Sequence, residues 1–418
     1  MKKHISLILL VLISKTGFTQ EKSKPFDTDR IQFGVYAQLW LRHTDLNPGT
    51  LIRREPHNQV TDVSVRRLRI AAKAKISNEV YFFLSLGGNN YNQRNDKQSP
   101  IGLLDLYAEY RPNDLFQIGL GKSSWQGLSR WNIRSAKTQL SLDSPLFIFT
   151  TLNKSDDLGR SFGAWIKGQW RKWDYRVVAN QPYYTEIAKE NGVDFSTNKP
   201  HIKWSGYLKY QFFETESNHT AYSTGTYLHH KKILNLGGGF MFQKNAMQNS
   251  MGGIVQHYYN MSHYAVDFYY NTPLSTGSKK SITAFLGYYN YDFGPGYYRN
   301  IAADNIATGE NENVSFNGPG NGFPMLGTGG TIYTQFGYSF PVSNYFLQPN
   351  LAVQLSNWDL LQDYMATYDL GINFYLNGQN NKLSLGVQFR PIFFENQPGI
   401  IEKSKYKSMA VLQYQIGF

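Results

Sequence analysis

The sequence predicts an all-β protein, a transmembrane antiparallel β-barrel, and three observations lead to this fold class. Apolar and polar residues alternate along most of the chain, long polar segments are separated by tight turns, and the chain ends on an alternating strand that finishes at Phe418. The composition fits, since 30 Tyr, 27 Phe and 37 Gly are typical of strands and turns. Barrels often exceed the usual domain length, so 418 residues do not require two domains.

The first residues have the order of a secretory signal peptide. Lys2 and Lys3 precede an apolar run over residues 5–13, and the small residues Gly17 and Thr19 follow it. The run is shorter than the ~20 residues that a membrane-spanning helix needs. An N-terminal core helix, the alternative, fits this order less well. We therefore predict a signal peptide over residues 1–19, export to the bacterial outer membrane, and one barrel domain over residues 20–418.

Period-two alternation predicts individual strands. Over residues 31–41, every odd position from Ile31 to Leu41 is apolar, whereas the even positions include Gln32, Gln38 and Trp40. On a strand these sets form two opposite faces. The same pattern recurs over residues 203–213, 365–376 and 382–390. A soluble β-sandwich also alternates, but in shorter strands with turns at regular short spacing.

The connections alternate between short and long. Tight turns are expected at residues 77–78, 112–113, 171–172, 341–344 and 377–381. Long polar segments cover residues 43–61, 88–102, 122–158, 182–200, 244–262, 293–327 and 391–406. Outer-membrane barrels arrange short periplasmic turns and long extracellular loops in this way. We predict about sixteen strands of ~10 residues each. Residues 221–230 are ambiguous, and we interpret them as part of a long periplasmic connection.

A basic stripe marks one predicted strand. Over residues 65–76, Arg67, Arg69, Lys73 and Lys75 share the polar face, while Arg66 stands at the outer end of the apolar face. Cations on the lipid side would cost ~2–4 kcal/mol each near the bilayer midplane. The stripe is therefore expected to line the lumen.

Other cations are predicted to face inward from other strands: Arg42, Arg111, Lys167, Arg176, Lys203, Lys209 and Arg390. Inward acids are fewer, and they include Asp105 and Glu109 on one strand. Two interpretations of the stripe remain open. It pairs with these two acids and braces the wall, or it forms an electropositive wall that concentrates anions.

The segment over residues 122–158 is the longest connection in the N-terminal half, and it carries Lys122, Arg130, Arg134 and Lys137. In large barrels of this kind, a loop at about this point folds into the lumen and narrows it. We expect this loop to fold inward and its cations to form an anion constriction. The alternative is an exposed loop with scattered charges.

Several segments resemble the phosphate-selective porins O and P, in the form found in Bacteroidetes-type bacteria. They are the signal peptide, the strand VRRLRI over residues 65–70, the segment DDLGRSFG over residues 156–163, the run GAWIKG from Gly163, and Phe418. The resemblance implies a sixteen-stranded barrel, a homotrimer, an inward third loop and an arginine–lysine path for oxyanions. The ending on Phe418 also resembles the C-terminal signature that the barrel-insertion machinery recognises.

The function expected from these features is passive diffusion of small anionic solutes, phosphate among them, through a water-filled channel in outer-membrane lipid. A weakly selective general porin and a plugged barrel with a binding or assembly role are the alternatives. The formal net charge of +12 allows nucleic acid, an anionic surface or anionic solutes as partners, and the inward placement of the cations favours anionic solutes. The absence of Cys excludes disulfides and thiolate metal sites, and no catalytic motif has the required spacing. We expect no enzymatic activity and no cofactor.

Overall fold

The computed structural model describes residues 31–92, 101–143, 145–152, 154, 159–198 and 201–418. The predicted signal peptide, residues 1–19, lies outside the described residues. Among the residues that the structure describes, none of the helices has the length and apolar character needed to cross a membrane.

Within the described residues, sixteen antiparallel strands close into a barrel, as the alternation predicted. β1 pairs with both β2 and β16, so the sheet has no free edge. The strands are β1 (Ile31–Asp45), β2 (Gln59–Lys75), β3 (Val80–Tyr91), β4 (Gly102–Tyr110), β5 (Gln117–Ser123), β6 (Ser161–Trp170), β7 (Trp173–Asn180), β8 (Lys203–Gln211), β9 (Ile233–Met251), β10 (Ile254–Pro273), β11 (Ser281–Asp292), β12 (Gly329–Val342), β13 (Tyr345–Trp358), β14 (Met365–Asn377), β15 (Asn381–Gln397) and β16 (Ile400–Gly417).

The two faces of each strand differ as expected for a wall between lipid and a polar lumen. On β1, Leu41 is 49% exposed on the outside, whereas the neighbouring Arg42 is 1% exposed and points inward. On β14, Leu370 is exposed on the outside and Asn373 is buried inside. An apolar outer face and a closed ladder of backbone hydrogen bonds are the two requirements for spanning a membrane with strands. The fold class is therefore confirmed as a transmembrane β-barrel.

The barrel has a turn end and a loop end. Short connections at the turn end include residues 76–79, 171–172 and 343–344, whereas the third loop at the other end, L3, covers residues 124–160. The sixth loop, L6, covers residues 293–328. The long connection between β8 and β9, residues 212–232, also starts at the turn end and contains the ambiguous residues 221–230, which form no strand.

Two segments predicted as long loops are instead extended hairpins. β9 and β10 continue to a turn at Gly252 and Gly253, and β15 and β16 continue to a turn at residues 398–399. Both glycines of the first turn have positive φ, 54° and 77°, which suits a tight hairpin. Beyond the lipid a strand does not need an apolar outer face. The alternation fades there while the backbone pairing continues.

L3 folds into the lumen and crosses it, as predicted. Near its start, the backbone N–H of Gly127 donates to Ser205 Oγ on β8, at 2.9 Å. Further along, the carbonyl of Leu140 accepts from Asn373 Nδ2 on β14, at 2.7 Å. The glycine run on β9 permits the close approach, because a Cβ at Gly239 would lie 2.8 Å from the backbone nitrogen of Leu128.

The β8–β9 connection enters the lumen from the turn end and meets L3. The N–H of Ser135 donates to the carbonyl of Ser223, at 2.9 Å, and the N–H of Thr226 donates to the carbonyl of Thr138, at 3.1 Å. Tyr222 Oη donates to Asp105 on β4, at 2.5 Å. L3 and this connection thus form one internal layer inside the barrel.

L6 lies across the mouth at the loop end. It joins β11 to β12 but pairs with the first loop, which joins β1 to β2, through Gly309–Glu310 and Thr50–Ile52. Arg42 on β1 donates to the L6 carbonyls of Ala303 and Asp304, at 3.1 and 2.6 Å. Since these strands stand on different sides of the barrel, L6 has to cross the opening to make these contacts.

Large apolar side chains of L3 pack against one side of the barrel. Trp131 meets Phe285 edge to face at 5.3 Å between ring centroids, and Phe147 meets Tyr289 and Tyr333 at 5.0 and 5.8 Å. Each fully buried side chain of this size contributes about 1.5–3 kcal/mol. This packing against β9–β13 forms what we call the filled side of the lumen.

Candidate functional site

The filled side leaves a cavity of about 390 Å³ on the opposite side, which we call the basic cavity. Its lining comes from β1, β2, β3, L3 and the β8–β9 connection. Seven cations line it, and no Asp or Glu stands among the described lining residues: Arg66, Arg67, Arg69, Lys73, Arg134, Lys137 and Arg160. The side chains that line the cavity therefore carry an excess of positive charge, a feature that attracts anions.

A β-bulge in β2 brings two consecutive arginines into the lumen. Gln38 on β1 pairs with Arg67, and the next residue, Leu39, pairs with Val65, so Arg66 has no partner in the register. A bulge reverses which side chains point inward on its two sides. Arg66, placed on the apolar face by simple alternation, is instead 4% exposed and lines the cavity.

Asp143 of L3 neutralises part of this pair. Its carboxylate accepts from Arg66 Nη2 at 2.9 Å and also from Arg67. Burial alone would raise the pKa of Asp143, but the charges of Arg66 and Arg67 outweigh it and the pKa is lowered. The carboxylate thus stays ionised and holds L3 to β2.

Arg69 and Arg160 are also held by acceptors within the protein. Arg69 donates to the carbonyl of Gly88 at 2.8 Å and to Asn89 Oδ1 at 2.5 Å. Arg160 Nε donates to Asp105 at 2.9 Å. These fixed side chains contribute positive potential but have few hydrogen-bond donors left for a solute.

Three lining cations are free of such acceptors. Nε and Nη1 of Arg134 are buried without a hydrogen-bond partner among the described residues, and its guanidinium lies 4.5 Å from the ring centroid of Phe149. The side-chain nitrogens of Lys73 and Lys137 make no hydrogen bond or ion pair to any residue that the structure describes. Burial and the charge of Lys73 lower the pKa of Lys137. Unsatisfied buried donors are costly, so this group is suited to receive an anion.

Five of the thirteen cations predicted to line an anion path border this cavity: Arg67, Arg69, Lys73, Arg134 and Lys137. The structure places the other eight, Lys75, Arg42, Lys122, Arg130, Lys167, Lys203, Lys209 and Arg390, outside its lining. Lys75 is exposed at the turn end of β2, and Lys122 points outward from β5, where Nζ donates to the carbonyl of Leu103 at 3.0 Å. Lys203 is buried at the loop end of β8.

The remaining five are structural braces. Arg42 forms a two-point ion pair with Asp62, at 2.9 and 2.8 Å. Arg130 forms one with Glu216 of the β8–β9 connection and lies 3.8 Å from the ring centroid of Tyr269. Three further contacts complete the set: Lys209 with Glu216 at 3.2 Å, Lys167 with Glu109 at 3.3 Å, and Arg390 with Asn47 Oδ1 at 3.3 Å.

The structure contradicts the interpretation in which the basic stripe pairs with Asp105 and Glu109. Asp105 pairs with Arg160, and Glu109 pairs with Arg111 and Lys167. The two acids lie on β4, and their partners are Arg160 at the end of L3, Lys167 on β6 and Arg111 in the β4–β5 turn. The stripe therefore keeps its charge for the lumen, apart from the contact with Asp143.

Sequence reasoning missed Arg66 and Arg160 as lining residues. Arg160 belongs to the DDLGRSFG segment, and its position just before β6 was the available signal. For Arg66 the signal was a charge on the apolar face, and the bulge that explains it becomes visible only once the pairing with β1 is known. Within the described residues, no group of three or more His, Cys, Asp or Glu could hold a metal ion.

Comparison with known proteins finds solved structures of similar fold but no match in sequence. No protein-family model matches the chain, and no curated protein does. Three solved structures are similar to it. OprB of Pseudomonas putida at high pH has 10% identity and a TM-score of 0.57, covering 93% of this chain and 95% of that one. The anion-selective porin from Comamonas acidovorans has 9% identity and a TM-score of 0.52, covering 93% of this chain and 99% of that one. Salmonella typhi OmpF in complex with daunomycin has 9% identity and a TM-score of 0.52, covering 94% of this chain and 99% of that one.

At such identities the likeness concerns the fold alone. The class that this fold defines is the porin-type transmembrane β-barrel. The chain shares with these structures its strand arrangement over nearly its full length, and the chemistry of its lumen has to be argued from its own residues.

Proposed function

We propose that this chain is an outer-membrane porin that forms a water-filled channel for passive diffusion of small anionic solutes. The observation that carries the proposal is the basic cavity, where seven cations and no Asp or Glu side chain stand among the described lining residues. A charged compartment with low-dielectric walls raises the local concentration of counter-ions and excludes ions of its own sign.

The outer surface supports the location. Exposed apolar side chains such as Leu41 and Leu370 face outward, where lipid would cover them. A signal peptide over residues 1–19 would direct export, and the alternating C-terminal strand with Phe418 would engage the insertion machinery. The resemblance to phosphate-selective porins favours phosphate or another oxyanion as the solute and a homotrimer as the assembly.

Planar-bilayer recordings of the purified protein test the proposal. In a potassium chloride gradient, the reversal potential of the wild type should indicate anion preference. Joint substitution of the three unpaired cations, Lys73→Gln, Arg134→Gln and Lys137→Gln, should reduce the anion-to-cation permeability ratio by about tenfold or more, the factor equivalent to ~1.4 kcal/mol. The matched control is Lys75→Gln with Lys122→Gln, two cations outside the cavity lining.

Each outcome separates the alternatives. A wild-type reversal potential near zero would indicate a weakly selective general porin. A channel whose preference survives the triple substitution would exclude the basic cavity as the selective path. An equal loss of anion preference in the control variant would also exclude the basic cavity as the selective path.

A second candidate, a plugged barrel with a binding or assembly role, is favoured by one specific observation. L3 and the β8–β9 connection meet inside the lumen and L6 crosses the mouth. Correctly folded protein that inserts into bilayers without conducting would support this candidate.

A further inference from the structure

Aromatic and aliphatic side chains share the lining of the basic cavity with the cations. Phe149 and Leu146 come from L3, Phe83 from β3 and Tyr222 from the β8–β9 connection. Phe83 and Tyr222 lie 5.8 Å apart between ring centroids, and Phe83 also packs on Tyr107 at 5.2 Å. These rings are held in place by neighbours, so they present a fixed apolar surface.

The free guanidinium and an apolar ring are direct neighbours. Arg134 lies 4.5 Å from the ring centroid of Phe149, and its Nε and Nη1 lack acceptors among the described residues. A guanidinium offers two parallel N–H groups to a carboxylate or phosphonate. An anionic head at Arg134 would therefore place whatever it carries within reach of Phe149.

This arrangement suits some anions better than others. An inorganic oxyanion has no apolar part, so it gains nothing from Phe83, Leu146 or Phe149 and loses hydration beside them. An organic anion gains by burying its apolar part against the same surface. The volume, about 390 Å³, lies in the range of ~300–1,000 Å³ that is typical of sites for small organic ligands.

We propose that the basic cavity is a binding site for amphipathic organic anions that carry one carboxylate or phosphonate head on an aromatic body. Arg134 binds the head, with Lys73 and Lys137 supplying further positive charge. Phe149 and Phe83 pack against the aromatic body. This inference rests on the proposed function, because it names the class of anion that the channel would select.

Matched phosphonates test the inference with the charge held constant. Inorganic phosphate, methylphosphonate and phenylphosphonate are added in turn to wild-type channels carrying chloride current in planar bilayers. Phenylphosphonate should reduce the current at a concentration about tenfold lower than methylphosphonate, since only it buries a ring. Isothermal titration of the detergent-solubilised protein should show the same order of affinities, whether or not the protein conducts.

Two variants locate the site. Phe149→Leu and Phe83→Leu should each reduce the advantage of phenylphosphonate over methylphosphonate by at least about threefold. Phe147→Leu is the matched control, because Phe147 lies two residues from Phe149 in the same loop but packs on the filled side, against Tyr289.

The outcomes distinguish this inference from the proposed function. Equal sensitivity to phenylphosphonate and methylphosphonate, with anion preference intact, would overturn the inference alone. Loss of the phenyl advantage in Phe147→Leu as well as Phe149→Leu would overturn the assignment to this cavity. A reversal potential near zero would refute the proposed function, and the titration would then decide the inference by itself.

Discussion

L3 has different roles on the filled side of the lumen and on the side of the basic cavity. On the filled side, Arg130 of L3 has a two-point ion pair with Glu216 and lies against Tyr269. On the side of the basic cavity, which we call the open side, Arg134 of the same loop has no such partner for Nε and Nη1 among the described residues. An inward arginine therefore acts as a brace where a carboxylate pairs with it, and it can bind a solute where none does. Residue type and depth in the lumen do not distinguish the two.

The filled side should carry the stability of the internal layer. Glu216→Gln leaves Arg130 and Lys209 buried beside a neutral amide, and breaking a buried pair in this way costs about 3–5 kcal/mol. Urea unfolding of the refolded protein in detergent would measure the free energy of unfolding.

Glu214→Gln provides the matched control for this prediction, because Glu214 is exposed at the turn end and should change the free energy of unfolding by about 0.5 kcal/mol or less. Equal stability of the two variants would mean that the Arg130–Glu216 contact does not hold the layer. The contrast between the two sides of the lumen would then fail.

Substitutions on the open side should change the ion selectivity of the channel. Asp143→Asn removes the one described carboxylate that pairs with Arg66 and Arg67, so more positive charge faces the cavity. The anion-to-cation permeability ratio should rise, by no more than about tenfold. Reversal potentials in a salt gradient would measure it.

Asp359→Asn is the control for that substitution, since Asp359 is exposed between β13 and β14. The prediction fails if the reversal potential of Asp143→Asn equals that of the control. It also fails if anion preference decreases, which would indicate that Asp143 acts mainly by positioning L3.

The smallest expected effect is a dependence of selectivity on alkaline pH. Burial and the charge of Lys73 lower the pKa of Lys137 below its usual 10.5, so Lys137 loses its charge at a lower pH than an exposed lysine does. Between pH 7 and pH 10 the wild type should lose anion preference by roughly twofold relative to Lys137→Arg, which stays charged. Reversal potentials across that range would check this, and parallel curves for the two proteins would exclude Lys137 as the titrating group.

Much of the barrel followed from local patterns. Strand faces such as Leu41 outside and Arg42 inside could be predicted because side chains alternate along a strand and one face must meet lipid. The two extended hairpins could not, since strand pairing beyond the lipid leaves no apolar alternation to detect. The inward path of L3 was expected from a family resemblance, and the contacts of Leu140 and Gly127 with opposite walls confirm it.

The order of residues along the chain is enough to predict that it closes into a barrel and that Arg67, Arg69 and Lys73 lie on an inward face. Both follow from the order of apolar and polar residues over about ten positions. Which cations lack a carboxylate partner depends on the folded arrangement of loops and strands. Arg130 meets Glu216, 86 positions away, and the bulge at Arg66 depends on the register with β1. Contacts over such distances are set by packing among loops and walls, and no local spacing encodes them.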